Sequence, residues 1–173
     1  MNDNKNINRI LAIFLLTVMA TGVAAAGPEP SASEQINSLQ TMCKATAQAR
    51  TQRQATEPLY HRLGGYDRIH KLTTEIVRRH NQNPEIGHMF SPERSELLAK
   101  HVADFVATGT GGPATYTGRD MPVAHANMKL TEADFVSATE DIVDSMKALG
   151  HGRNEIDEIV CILISLKDQV LMK

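Results

Sequence analysis

Aromatic side chains are scarce in this sequence of 173 residues: tryptophan is absent and the aromatic fraction is 4%. Aromatic and β-branched side chains are enriched in the strands of sandwiches and barrels. No segment shows a sustained alternation of apolar and polar residues, so no sheet is predicted. A helical core built from leucine, isoleucine, valine, alanine and methionine is expected, and the fold class is predicted to be all-α.

An excess of charge of one sign is also missing. Eighteen basic residues stand against twenty acidic ones, the formal net charge is -2, and the pI is about 6.4. The basic residues are scattered along the chain, which argues against nucleic acid as a partner. The length suits one domain with appendages, and it leaves no room for a second catalytic domain.

Long hydrophobic runs are absent as well, because the apolar run 10–20 is shorter than the roughly 20 residues that a membrane span needs. Lys5 and Arg9 precede this run, and the small residues of 23–26 follow it. This order is typical of a secretory signal peptide, predicted here as residues 1–26. The alternative is an uncleaved anchor. We expect a periplasmic or secreted protein without a stable membrane span after cleavage.

Only two cysteines are present, Cys43 and Cys161. An exported protein meets an oxidising environment, where one disulfide between them could persist. Cys161 also lies in the apolar run 159–163, where it could serve as a small buried hydrophobic residue. The sequence leaves both interpretations open.

Residues 27–57 form a predicted leader ahead of a domain at 58–173. The leader contains a weakly amphipathic helix from Ser33 that ends in the polar run 48–57. Its apolar residues recur at helical spacing: Ile36, Leu39, Met42, Cys43 and Ala47. This helix could pack on the domain, carry a partner contact, or form a loosely attached leader.

The domain holds further amphipathic helices, which begin near Asp67, Ser91, Thr131 and Asn154. The helix after Ser91 carries one histidine among its apolar residues: Leu97, Leu98, His101, Val102, Phe105 and Val106. His101 is therefore predicted to point inward. A buried imidazole needs a partner for its polar nitrogens.

The chain has seven histidines, any of which could bind a metal. Five of them lie at element ends or beside charged residues, and their side chains are therefore predicted to be solvated. These five are His61, His70, His80, His88 and His151. His101 and His125 remain. Neither has an inward-facing cysteine, histidine or carboxylate at a customary zinc-ligand interval.

Several ordered motifs between Pro58 and Val170 resemble a group I truncated haemoglobin. They are Tyr60 to Gly65, Met89-Phe90, Gly111-Gly112-Pro113, Tyr116 to Met121, Ala124-His125, and Leu130-Thr131 with Phe135. The resemblance implies a two-over-two helical sandwich around haem b. It also implies that His125 is the proximal iron ligand and that Phe90 stacks against the porphyrin.

The distal side departs from the oxygen-binding members of that family, which typically carry tyrosine and glutamine there. The matching positions in this chain are Val77, Leu98 and Val102. His101, eleven residues after Phe90, matches a histidine that binds iron as a sixth ligand in some cyanobacterial members. The resemblance thus implies a bis-histidine haem, or else a His101 that hydrogen-bonds a bound ligand.

The haem is expected to be bound without a covalent link. Residues 155–173 contain no histidine of the kind that attaches haem in certain cyanobacterial members, and the chain has no Cys-x-x-Cys-His site. The apolar residues expected to line the haem, besides Phe90, are Leu72, Ile76, Leu98, Val102, Phe105, Met121 and Leu130.

The function implied by the resemblance is electron transfer, or reaction with nitric oxide, peroxide or another gas ligand, outside the cytoplasm. The partners would be diatomic ligands or a redox protein. Nitric oxide dioxygenase-like or peroxidase-like activity stays open, because no dedicated catalytic motif is present. One alternative is reversible O₂ binding. Another, of a different class, is a haem-free helical interaction module that docks through the helix at 33–49.

Overall fold

The computed structural model describes residues 29–113 and 115–171, and these parts of the chain contain helices and no strand. The all-α prediction is therefore confirmed, while the predicted signal peptide lies outside the described residues. The helices are α1 Ala32–Ala45, α2 Ala47–Thr56, α3 Leu59–Arg62, α4 Gly65–Gln82, α5 Ser95–Gly109, α6 Met121–Ala124, α7 Glu132–Ala148 and α8 Arg153–Leu171. Two 3₁₀ turns, Gly87–Met89 and Pro92–Arg94, connect α4 to α5.

Four helices form the body of the domain as two pairs. Helix α4 packs on α5, α7 packs on α8, and α4 also contacts α7 across the pairs, while the short α6 packs on α8. Apolar stripes at helical spacing meet between the pairs. The fully buried residues of this core include Leu63, Ile69, Leu72, Ala103 and Met146.

A ridge of small residues brings α5 against α4. Ala99, Ala103 and Ala107 recur every four residues and are buried. The hydroxyl of the buried Thr73 on α4 donates to the Ala99 carbonyl at 2.8 Å. Because the alanine side of α5 faces the core, His101 is exposed. The prediction that His101 points into the protein interior was wrong for this reason.

The leader is attached to the domain by packing and by a covalent bond. Ile36 is 3% exposed, and α1 packs on both α7 and α8. Cys43 and Cys161 form a disulfide, with their Cα atoms 5.5 Å apart. Of the alternatives left by the sequence, the packed leader and the disulfide are the ones found. The polar run expected to end the leader helix largely forms α2 instead.

A buried carboxylate joins the leader to the last helix. Glu158 on α8 is 5% exposed, and its two oxygens accept from Arg53 Nε of α2 and from an Arg62 NH2 group, each at 2.6 Å. Arg62 also donates to Glu155 at 2.8 Å. The Glu158 carboxylate thus ties both α2, through Arg53, and α3, through Arg62, to α8.

Helix ends follow the sequence signals in part. A helix was predicted to begin near Thr131, and the Thr131 hydroxyl and the Asp134 carboxylate form a capping box at the start of α7. Ser91 does not cap its helix, since its hydroxyl donates to Glu93 at 2.7 Å instead. Asn154, which was predicted to cap the last helix, lies inside α8 instead, because that helix begins at Arg153.

Candidate functional site

His125 follows α6 and has one ring nitrogen engaged by the backbone. Asp120 caps the helix by accepting from the Val123 amide at 2.9 Å. The His125 Nδ1 lies 2.9 Å from the Met121 carbonyl oxygen. A carbonyl only accepts, so Nδ1 carries the proton and Nε2 keeps a free lone pair. This is the arrangement that orients a histidine for ligation of a metal through Nε2.

The chain reverses direction directly after His125. Asn127 and Lys129 adopt left-handed backbone conformations, with φ of 66° and 54°. Asparagine tolerates this region, but lysine pays about 1–2 kcal/mol for it. Leu130 then packs against the cluster around Phe135 and Ile36, which anchors the segment before α7 begins.

A second apolar row runs along α5, away from the alanine ridge. Leu97 is 57% exposed, Leu98 and Phe105 are half-buried, and the exposed His101 lies between them. The interval of four from Leu97 to His101 and again to Phe105 places these three side chains on one side of the helix. Leu97 and His101 are exposed, whereas the Phe105 ring contacts the Tyr116 ring at a centroid distance of 5.3 Å. An apolar group bound on the exposed part of this row would remove it from water.

The other predicted pocket residues fall into two sets. Leu72 and Ile76 are buried in the core cluster that contains Ala103 and Ala107 of the ridge. Their contact with a ligand stays a prediction. The remaining members are half-buried, and their contact with a ligand stays a prediction as well: Phe90, Leu98, Val102, Phe105, Met121 and Leu130.

The three positions that matched distal donor residues are apolar in the structure too. Val77 is buried in the core, and Leu98 and Val102 carry only aliphatic side chains. None of the three can donate a hydrogen bond to a ligand. His101 is the polar side chain within the second apolar row of α5.

His80 was predicted to be solvated, and this was wrong. It is 8% exposed, and its Nδ1 lies 2.8 Å from Asp141 Oδ2 on α7. Its ring also contacts Phe90, with ring centroids 5.0 Å apart. Its register gave a usable signal, because His80 continues the interval of four from Leu72 and Ile76 along the buried side of α4. His151 is likewise only partly exposed.

Burial lowers the pKa of His80, and the hydrogen bond to Asp141 opposes this effect without reversing it. At pH values between the unfolded pKa of about 6.5 and the lower folded pKa, the unfolded chain binds more protons than the folded chain does. The stability from neutral His80 is thus present above that window and lost as pH falls through it. One proton limits this slope to about 1.4 kcal/mol per pH unit.

We predict that His80→Gln flattens the loss of stability below pH 6.5, because it removes the titrating ring while keeping a donor for Asp141. Urea unfolding at a series of pH values measures the slope. The exposed His61 supplies the control, His61→Gln, which should retain the wild-type slope. Equal slopes in wild type and His80→Gln would contradict the prediction.

Two of the sequence motifs contact each other next to α5. The Tyr60 amide donates to the Thr110 carbonyl at 3.0 Å. Gly111 has φ +95, and a Cβ on Gly112 would lie 2.6 Å from the Ala107 carbonyl oxygen and 2.7 Å from the Tyr60 ring. A larger residue at Gly112 would therefore clash with backbone. The Tyr60 ring therefore packs directly against Gly112, and the two motifs depend on each other for this contact.

Comparison with known proteins shows which family has this helical arrangement. Residues 58–172 match the family model of the bacterial-like globins. A group 1 truncated hemoglobin from Tetrahymena thermophila is 26% identical over 115 residues, which cover 66% of this chain and 95% of the relative. One from Chlamydomonas moewusii is 25% identical over 115 residues, covering 65% of this chain and 67% of the relative.

Solved structures show the same fold. The 2/2 hemoglobin of Synechococcus sp. PCC 7002, in the cyanomet state and with covalently attached heme, is 25% identical with a TM-score of 0.62. That alignment covers 67% of this chain and 99% of the other. The Fe(III) form of truncated hemoglobin from Tetrahymena pyriformis has a TM-score of 0.60 at 23% identity, over 66% of this chain and 97% of the other.

The family match begins at residue 58, so α1 and α2 precede the part of the chain that is shared. The two helix pairs, the glycine turn after α5 and the short helix before His125 all lie within the match. The chain belongs to the bacterial-like globin family and is a truncated haemoglobin of group I with an additional N-terminal helical segment.

Proposed function

We propose that this globin binds haem b without a covalent link, with His125 as the proximal iron ligand and His101 as the sixth ligand. We further propose that it performs redox or gas-ligand chemistry outside the cytoplasm. The single observation that carries the proposal is the contact between His125 Nδ1 and the Met121 carbonyl at 2.9 Å. It leaves the Nε2 lone pair of His125 available for iron.

The surroundings of His125 suit a flat apolar cofactor. Met121, four residues earlier, is half-buried, and Leu130 follows the reversal of the chain. The second apolar row of α5 offers Leu98 and Phe105 as further apolar surface. Haem, when bound, supplies one-electron redox chemistry and a binding position for diatomic ligands. The protein groups would hold it in place and exclude water from it.

His101 would be the residue that supplies the second histidine ligand, because it is the polar side chain within the second apolar row of α5. His101 is exposed within this row. A bond to iron would take the place of the hydrogen bond that its ring nitrogen otherwise makes with water. Two histidine ligands that stay in place in both oxidation states require little rearrangement on electron transfer. They also oppose ligand entry until His101 moves away, which ties gas-ligand chemistry to release of this side chain.

Reversible O₂ storage finds less support in the pocket. Val77, Leu98 and Val102 cannot donate a hydrogen bond, and distal donors help to decide between binding, activation and electron transfer. We therefore favour electron transfer, or reaction with nitric oxide or peroxide, over oxygen carriage. The helix at 33–49, which the haem-free alternative required as a docking surface, is packed on α7 and α8.

Non-covalent attachment leads to a prediction that needs no mutation. The Synechococcus protein is described with covalently attached heme, but residues 155–173 of this chain contain no histidine. Acidified butanone should therefore extract all of the haem from the reconstituted protein, which absorbance of the two phases measures. Colour that stays with the protein would contradict non-covalent binding.

Export is supported by the disulfide between Cys43 and Cys161. Disulfides persist in oxidising compartments and are rare in the reducing cytosol. The cleavable signal proposed at 1–26 would bring the chain to such a compartment. Within the described residues no helix is long and apolar enough to cross a membrane.

The test of haem binding is a titration of the full haem-free chain with haem. We expect a Soret band that saturates at one haem per chain. His125→Gln should weaken binding by more than the roughly 10–100-fold that loss of an outer-shell partner costs at metal sites. The exposed His88 gives the control, His88→Gln, expected to bind like wild type. No saturable Soret band, or unchanged affinity in His125→Gln, would overturn the proposal.

A further inference from the structure

A polar cluster lies beneath Phe90, on the side of α4 that contacts α7. His80, in the last turn of α4, is buried and packs its ring against Phe90 at a centroid distance of 5.0 Å and an interplanar angle of 31°. The other side of this histidine is held by α7, since its Nδ1 lies 2.8 Å from Asp141 Oδ2. His80 thus connects α7 to the Phe90 ring.

The same carboxylate oxygen also anchors the chain segment that leads to Phe90. Asn83 Nδ2 donates to Asp141 Oδ2 at 2.9 Å and contacts Ser137 Oγ at 3.0 Å. The Asn83 side-chain oxygen accepts from the Glu85 amide at 2.9 Å. Both the ring beneath Phe90 and the turn before it are therefore attached to α7.

Backbone hydrogen bonds extend this attachment to Phe90 itself. The Gly87 amide donates to the Asn83 carbonyl at 2.8 Å, and the Phe90 amide donates to the Gly87 carbonyl at 3.1 Å. A carboxylate only accepts, so His80 presents a protonated Nδ1 to Asp141. The direction of this bond fixes the plane of the imidazole, and the imidazole in turn limits the orientations open to the Phe90 ring.

We infer that His80, oriented by Asp141, is a positioning residue that sets the orientation of the Phe90 ring against the haem. The inference rests on the proposed function for the contact of Phe90 with haem. The role of the pair Asp141 and His80 in ordering Phe90 does not depend on it. Neither residue needs to touch the cofactor, because both act through the phenylalanine.

The first experiment uses the haem-free full chain with labelled phenylalanine and records the ring resonances by NMR. Asp141→Leu removes the acceptor but leaves the His80 ring, so a shift of the Phe90 resonances reports a change of orientation. Asp141→Asn keeps an acceptor oxygen and should restore the wild-type resonances. Asp144→Leu, at an exposed position on the same helix, is the control. Phe90 should not shift in that control.

The second experiment measures haem loss from the reconstituted protein to an excess of apomyoglobin. A misplaced aromatic contact in Asp141→Leu or His80→Gln should speed haem loss about threefold to tenfold. Asp141→Asn should lose haem at the wild-type rate. Circular dichroism checks that each variant is folded, and Asp141→Ala, which also removes the acceptor but keeps the His80 ring, takes the place of Asp141→Leu if the latter does not fold.

Unchanged Phe90 resonances in Asp141→Leu, or in Asp141→Ala where that variant replaces it, would overturn the inference. Equal haem loss in Asp141→Leu and Asp141→Asn would overturn it as well, because a structural defect alone would then explain both. Failure of the proposed function looks different: the wild-type chain would show no Soret band. The Phe90 resonances of the haem-free chain would in that case still decide whether His80 positions this ring.

Discussion

Replacing Cys43 and Cys161 together by alanine is expected to lower the free energy of unfolding by about 5 kcal/mol. The bond joins residues 118 apart in the sequence, so it closes a loop that includes almost the whole domain. Without the cross-link the unfolded chain gains conformational freedom, and the loss of stability grows with the size of the loop. Helix α1 would then be held on the domain by the packing of Ile36 and its neighbours and by the Ser33 hydroxyl, which donates to Glu132 on α7.

Urea unfolding followed by circular dichroism measures this effect. Wild type treated with a reductant should approach the stability of the double alanine variant, while the same reductant should leave the variant unchanged. This comparison separates the cross-link from the small loss of side-chain volume. A difference below about 1 kcal/mol between oxidised wild type and the variant would contradict a stabilising disulfide.

Replacing Glu158 by glutamine is expected to cost about 3–5 kcal/mol, the range found when one partner of a buried ion pair is removed. The Glu158 and Arg62 side chains are 6% and 10% exposed, and Arg53 donates to the same carboxylate. Neutral glutamine would leave two guanidinium groups next to each other, with Glu155 as the remaining carboxylate. Their repulsion in a poorly solvated place is the source of the cost.

A matched control lies on the same helix. Asp157 pairs with Arg153, whose side chain is 82% exposed, at an interval of four residues. Asp157→Asn should therefore change the free energy of unfolding by less than about 1 kcal/mol. Chemical denaturation of both variants at neutral pH provides the comparison. Equal effects of Glu158→Gln and Asp157→Asn would show that the buried network contributes no more than a surface pair.

Local patterns predicted the secondary structure well. The intervals of three and four along α4, α7 and α8 depend on residues close in sequence, and so does the capping box at Thr131. The absence of alternation correctly predicted the absence of strands in the described parts of the chain. These features need no knowledge of the partner surface. The amphipathic helices were therefore accessible from the sequence alone, whereas α2, which has no buried apolar side, was not.

Which side of a helix faces the core was harder to predict when two sides were apolar. The large side chains near Leu98 and Phe105 suggested that their row, with His101, was buried. The structure buries Ala99 and Ala103 instead, because small residues let α5 approach α4 closely. The choice depends on the shape of the opposing helix, which a single helix does not encode.

Contacts between distant parts of the chain were also out of reach. His80 is buried because Asp141, 61 residues later, supplies its hydrogen bond. Arg53 of α2 and Arg62 of α3 are likewise paired with Glu158 of α8, about a hundred residues later in the chain. In each case a polar residue is accommodated by a partner that no local pattern identifies.

The description of the candidate site depends both on the sequence resemblance and on contacts that only the structure shows. The resemblance to truncated haemoglobins implied the role of His125 and the register of His101. The structure adds the hydrogen bond that leaves Nε2 of His125 free and the exposed position of His101 in its apolar row. It also shows that Leu72 and Ile76 contribute to the core behind the alanine ridge. The position of haem between α5 and the segment after α6 stays a proposal.

The most direct test of the central proposal is the absorption and electron paramagnetic resonance spectrum of the ferric, haem-reconstituted full chain, recorded beside that of His101→Ala. With His125 and His101 both on iron, the wild type should be low-spin, and the variant should become high-spin. A high-spin wild type, or a low-spin signal that persists in His101→Ala, would contradict iron ligation by His101.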